Sequence, residues 1–165
     1  LLPAHLQGIW NDNIACNMEW TCDMHLDINT QMNYWHSETA NLSECNLPLF
    51  KWLRDVLVPS GRITAKDTYG IGGWAAHVVS NAWGFTAPGW GVNWGINAMG
   101  GAWLATHLLE HYLFTGDEDF LEKFAYPVYK EASQFFSEYL VEDKEIGFLL
   151  SGPSMSPENI FTFKG

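Results

Sequence analysis

The feature that most constrains this chain is a series of large apolar side chains, Phe120, Phe124, Val128, Ala132, Phe135 and Tyr139, recurring at intervals of four with a single three. A helix with 3.6 residues per turn brings such positions onto one face, so the segment predicts a helix that lays one side on a core. Asp117 stands where an N-cap belongs and Gly147 closes the segment. Pro127 predicts a kink or a split, because its ring opposes the carbonyl one turn back. Upstream, Leu104, Leu108 and Tyr112 recur every four residues between Ala98 and Phe114, and Gly116 supplies the stop. Pro48 suits a first helical turn, and Leu49, Leu53, Val56 and Leu57 follow to Val58, where Pro59 is expected to interrupt the run. A shorter helix is then expected from Ser60 to Tyr69, ended by Gly70. Ile28, Met32 and Trp35 predict a first helix within 24–38 that buries their stripe. Phe148 to Leu150 reads as a short extended piece. Since no segment alternates convincingly with period two, the expected fold class is all-α.

Between Gly70 and Gly101 the texture changes, with nine of the fifteen glycines, four tryptophans and Pro88. Ordering so much Gly-rich backbone costs entropy, which points to a functional loop region, and its tryptophans argue against a disordered linker. Helices joined alternately by short turns and long Trp-rich loops suggest a helical toroid whose loops build a site at one rim. The opening at Leu1-Leu2-Pro3 and the stop at Phe163-Lys164-Gly165, without initiator Met or polar tail, read as an excerpt of a longer protein.

Eight basic against nineteen acidic residues give a formal charge of −11. Such a chain repels both a phosphate backbone and an anionic membrane surface, so nucleic acid is not expected as a partner. No apolar run is long enough to cross a bilayer, and no membrane insertion is expected. Aromatic residues make up 15% of the chain, with nine tryptophans; most are core-filling, and a neutral sugar is a ligand on which the others could stack. Cys16, Cys22 and Cys45 cannot form a disulfide framework, though a single Cys16–Cys22 bridge fits the spacing.

Four constellations could carry chemistry. His107-Leu108-Leu109-Glu110-His111 matches an inverted zinc-protease pattern. The two histidines share a helix with a buried apolar stripe and lack a visible third ligand, so they read as core residues and no metal is expected. Asn41-Leu42-Ser43 is a glycosylation sequon of high chance frequency. His25-Leu26-Asp27-Ile28-Asn29 alternates polar with apolar; extended, it turns an imidazole, a carboxylate and an amide to one surface, whereas helix capping by Asp27 and Asn29 is an equally good account. In Ser154-Met155-Ser156-Pro157-Glu158-Asn159 a carboxyl sits in a Pro-restricted segment. Glu158 there is either a solvated loop residue or a glycosidase acid, and the latter requires partial burial.

These residues resemble glycoside hydrolase family 95, the α-L-fucosidases, over nearly the whole chain. The carrying segments are Leu6-Gln7-Gly8-Ile9-Trp10-Asn11, His25-Leu26-Asp27-Ile28-Asn29-Thr30-Gln31-Met32-Asn33-Tyr34-Trp35, Gly73-Trp74-Ala75-Ala76-His77, Gly100-Gly101-Ala102-Trp103-Leu104, Glu110-His111-Tyr112 and Pro153-Ser154-Met155-Ser156-Pro157-Glu158-Asn159. The resemblance implies an (α/α)6 barrel, with residues 1–165 part of that one catalytic domain and roughly its first half; flanking β-rich domains and later barrel helices lie outside them. It implies removal of terminal α-1,2-linked L-fucose from glycans with inversion, without cofactor, in an extracellular or periplasmic setting. Glu158 falls on the family's general acid, Asp27 and Asn29 on its water-orienting asparagine pair, and His25 on a sugar-contacting histidine. Trp94 and Trp103 are the expected sugar-facing rings, and the general base, an aspartate, is expected beyond Gly165. Two departures stand out. Asp27 replaces the first asparagine, and Gly95-Ile96-Asn97-Ala98-Met99 replaces a stretch that commonly carries a Trp-Pro pair. An α-L-galactosidase on the same scaffold and a non-catalytic carbohydrate-binding helical module are the alternatives.

Overall fold

The computed structural model describes residues 1–6, 23–89, 91–156 and 158–159, with the side chains of 92 and 93 left aside. Cys16, Cys22 and their suggested bridge lie outside the described residues, as does most of the first family-like segment. About half of the chain is helical, joined by long loops and a few short strands.

The elements are β1 (Met24–His25), α1 (Asn29–Met32), α2 (Leu47–Trp52), α3 (Val58–Thr64), β2 (Val79–Ser80), α4 (Val92–Gly95), α5 (Met99–Thr115), α6 (Glu118–Phe120), α7 (Tyr126–Tyr139), β3 (Val141–Asp143) and β4 (Phe148–Leu150). β1 pairs antiparallel with β2, Met24 opposite Ser80 and His25 opposite Val79. β3 and β4 form a hairpin in which Glu142 faces Leu149. Helix remains the dominant element, in keeping with a partial helical domain, and these two short pairs are what the all-α expectation lacked. Pairs of two and three residues are too short to leave an alternation in sequence.

Pro59 does not end its helix and Pro127 does not split its own. A π-helical turn at Leu53–Leu57 joins α2 to α3, and another at Leu121–Ala125 joins α6 to α7. A proline clashes with the carbonyl four residues before it, here that of Asp55 or Lys123, and both lie within the widened turn. The expected stops do occur: Gly70 and Gly116 take left-handed conformations with φ of 71° and 66°. Asp117 caps α6 by accepting the Phe120 N–H at 2.9 Å.

The core lies between the α2–α3 helix, α5 and the α6–α7 helix, and Trp74 sits at its centre, 1% exposed. Its indole N–H donates to the Val128 carbonyl at 2.9 Å. Room for the ring comes from glycines inside the neighbouring helices. A Cβ on Gly61 would stand 3.0 Å from the ring, and one on Gly101 only 2.4 Å from it. Leu104 and Leu108 of α5 and Val128, Ala132 and Phe135 of α7 are buried as their periodicity predicts.

The first predicted helix needs correction. α1 spans one turn, a series of turns follows, and Ile28, Met32 and Trp35 are 38%, 49% and 51% exposed. The buried face instead holds Thr30, Gln31, Tyr34, Ser37 and Glu38. Ser37 and Glu38 can enter the core because partners meet them. Glu38 accepts from Asn46 Nδ2 at 2.6 Å and Ser43 Oγ at 2.5 Å and pairs with His111 Nδ1 at 2.7 Å, while Ser37 Oγ donates to Asn46 Oδ1 at 2.8 Å. Among the described residues no helix is long and apolar enough to cross a membrane.

Candidate active site

The site is built where the β1–β2 ribbon, the first turn of α5 and the C-terminal segment meet. After β1 the ribbon is prolonged by the Leu26 N–H, which donates to the Val78 carbonyl at 2.6 Å, and Leu26 itself is wholly buried. The chain then turns through Asp27 and Ile28 into α1. Gln31, also buried, folds back so that its Nε2 donates to the Leu26 carbonyl at 2.8 Å, which ties the start of α1 to the end of the ribbon. The capping account of Asp27 and Asn29 fails, because α1 has no side-chain cap.

Segment 74–78 registers two walls of the site. The Ala76 carbonyl accepts the Gly101 N–H at 3.0 Å and so sets the start of α5, which carries Trp103; the Val78 carbonyl holds the turn that carries Asp27. His77, wholly buried, anchors this segment. Its Nδ1 donates to the Thr86 carbonyl at 2.6 Å, which leaves Nε2 to accept the Tyr69 hydroxyl at 2.6 Å. Burial pushes the His77 imidazole below its usual range and keeps it neutral in this arrangement. The third wall comes from the C-terminal segment. The Met155 N–H donates to the Ile96 carbonyl at 2.7 Å and the Tyr139 hydroxyl to the Pro153 carbonyl at 2.7 Å.

These walls enclose an open cavity of about 520 Å³ lined by His25, Asp27, Ile28, Asn29, Trp103, Ser156 and Glu158. The two polar clusters, from opposite ends of the chain, thus share one space. Asp27 is half-buried, and its Oδ1 is shut off from solvent without a hydrogen-bond partner. Desolvation raises its carboxyl above the usual value, His25 opposes the rise, and the charge of Glu158 adds to it. His25 is buried; its Nδ1 pairs with the Asp23 carboxylate, which orients the ring. Trp94 packs edge-on to that imidazole with centroids 5.8 Å apart, so it meets the site through His25, whereas Trp103 lines the cavity directly.

Glu158 departs from expectation in one respect. It is exposed rather than partly buried, because it stands on a turn at the cavity rim, closed by the Asn159 N–H donating to the Ser156 carbonyl at 2.7 Å. The inverted zinc-protease pattern does not assemble. His111 is committed to Glu38, and His107, packed edge-on to Tyr34 at 6.4 Å, is desolvated until its pKa falls to about 4. Among the described residues no group of three or more His, Cys, Asp or Glu is arranged to hold a metal ion. Sequence reasoning missed Asp23 and Gln31. Asp23 lies two residues before His25, the spacing that puts extended-chain neighbours on one side; Gln31 carries no comparable signal.

A helical scaffold that brings two carboxyls, an imidazole and an indole to one open cavity has the equipment of a carbohydrate-active domain. The chain belongs to glycoside hydrolase family 95: the model of the glycosyl hydrolase family 95 catalytic domain matches residues 1–165. It is 47% identical over 160 residues to alpha-L-fucosidase 2 of Arabidopsis thaliana, covering 96% of this chain and 18% of that protein. It is 33% identical over 161 residues to probable alpha-fucosidase A of Aspergillus niger, covering 96% of this chain and 20% of the relative. The chain therefore spans about a fifth of the length of these curated relatives.

Proposed function

We propose that the protein carrying this chain hydrolyses terminal α-1,2-linked L-fucose from neutral glycans, with inversion at the anomeric carbon. The observation that carries the reading is the shared cavity of His25, Asp27 and Asn29 with Glu158. Family membership and the names of the relatives support it. In this reading Glu158, which stands exposed at the rim, is shielded from water by the glycan that fills the cavity and, protonated, gives its proton to the glycosidic oxygen as the bond to the anomeric carbon breaks. A water held by the Asn29 amide and Asp27 attacks from the opposite face and surrenders its proton to a carboxylate base outside residues 1–165. Acid and base would then stand roughly 6.5–9.5 Å apart, with room for that water. His25, oriented by Asp23 and Trp94, contacts the sugar, and Trp103 offers a ring for its apolar face. Residues 1–165 are read as part of one (α/α)6 catalytic domain, in a protein working outside the cytoplasm.

The test is Glu158→Gln in the intact enzyme. With an unactivated fucosyl disaccharide, kcat should fall by roughly 10²-fold or more, the scale of general acid catalysis. A fucosyl fluoride, whose leaving group needs no proton, should lose far less. Full activity of the variant on the disaccharide removes Glu158 from the acid role.

A further inference from the structure

A second cavity, of about 550 Å³, lies on the same ribbon, and of its lining the mechanism above uses only Asp23. Its lining includes His5, Asp23, Ser80, Asn81, Trp83 and Phe85. Asp23 of this lining pairs with His25, which lines the catalytic cavity. The two residues are separated by about 7 Å of extended chain, a distance that neighbouring units of one oligosaccharide can span.

The loop that presents the aromatic rings is held at both ends. Asn81 Oδ1 accepts the N–H groups of Trp83 and Phe85 at 3.0 and 3.3 Å. At the other end the Thr86 carbonyl accepts His77 Nδ1, and Thr86 Oγ1 pairs with Thr64 Oγ1 at 2.7 Å. On this fixed loop Trp83 is 84% exposed and Phe85 43% exposed. Large rings held in place yet given to water offer stacking surface at little entropic cost. Among the described residues the lining carries no lysine or arginine to attract an anion. Aromatic faces, the neutral Asn81 side chain and closeness to the catalytic cavity through the Asp23–His25 pair together suit an uncharged saccharide.

We propose that this cavity is a second saccharide subsite, centred on Trp83 and Phe85, which holds the part of the glycan beyond the fucose; the inference rests on the fucosidase reading above. Trp83→Ala in the intact enzyme tests it, because a residue so exposed can be removed with little effect on folding, which thermal melting verifies. KM for a neutral fucosylated tetrasaccharide should rise roughly tenfold, the equivalent of one lost aromatic contact, while KM for an aryl α-L-fucoside stays within about twofold. Phe85→Ala should shift the same two constants in the same sense. Equal effects on both substrates, or no effect on either, would overturn the subsite. Calorimetry with the fucose-free core of the tetrasaccharide gives an arm independent of catalysis. Binding by the parent that Trp83→Ala weakens supports the subsite even if the parent hydrolyses neither substrate, whereas no binding, or binding unchanged in the variant, overturns it.

Discussion

At the scale of single residues, Asp27 and Glu38 are carboxyls moved in opposite directions, and each has a consequence for stability. Desolvation holds the Asp27 carboxyl above its ordinary value of 3.8, so the folded chain resists its ionisation. Asp27 is therefore destabilising where it is ionised, and the penalty disappears as pH falls to about that ordinary value. Asp27→Asn should raise Tm at pH 7, and the gain should shrink toward zero as pH falls toward 3.8, as followed by melting across that range. Burial pushes Glu38 upward, but the donors from Ser43, His111 and Asn46 together overcome it and hold the carboxyl below 4.5. Its contribution is thus present above pH 4.5 and lost as pH falls through the lower folded value. Glu38→Gln should cost about 3 kcal/mol near neutrality by denaturant unfolding, since it leaves buried donors without their carboxylate. The site was readable at this scale wherever a residue type implies chemistry, as at His25, Asn29 and Glu158. The burial of Asp27 and the exposure of Glu158 were not, because both depend on which distant backbone closes over them.

At the scale of elements, periodicity located the helices of the core, whose buried faces carry large apolar side chains. It failed in two informative ways. Pro59 and Pro127 look like breaks because the sequence does not announce the π-helical turns that absorb their rings. Ile28, Met32 and Trp35 keep helical spacing yet face outward, because the buried positions are filled by polar side chains whose partners, Asn46 and His111, lie elsewhere in the chain. The glycines of α3 and α5 show the same dependence on distant partners, since their reason is the Trp74 ring. Gly101→Ala should cost about 2–3 kcal/mol of stability by denaturant unfolding, because its methyl group would have to displace that indole. A fall of less than about 0.5 kcal/mol would mean that the ring is free to shift.

At the scale of the whole molecule, the proposed substrate is an uncharged glycan, met by a chain of formal charge −11 whose cavities carry aromatic rings and carboxyls. Electrostatic steering then contributes little, and kcat/KM of the intact enzyme for a neutral glycan should change less than about twofold between about 0.05 and 0.5 M salt. A strong salt dependence would point to a charged substrate. The proposed mechanism requires the two ends of the chain to converge on one bound sugar. Crystals of the intact enzyme soaked with L-fucose test this most directly. The sugar is predicted within about 3 Å of Asn29 and His25, with Glu158 facing its anomeric oxygen; fucose bound elsewhere, with Glu158 turned away from it, would contradict the account.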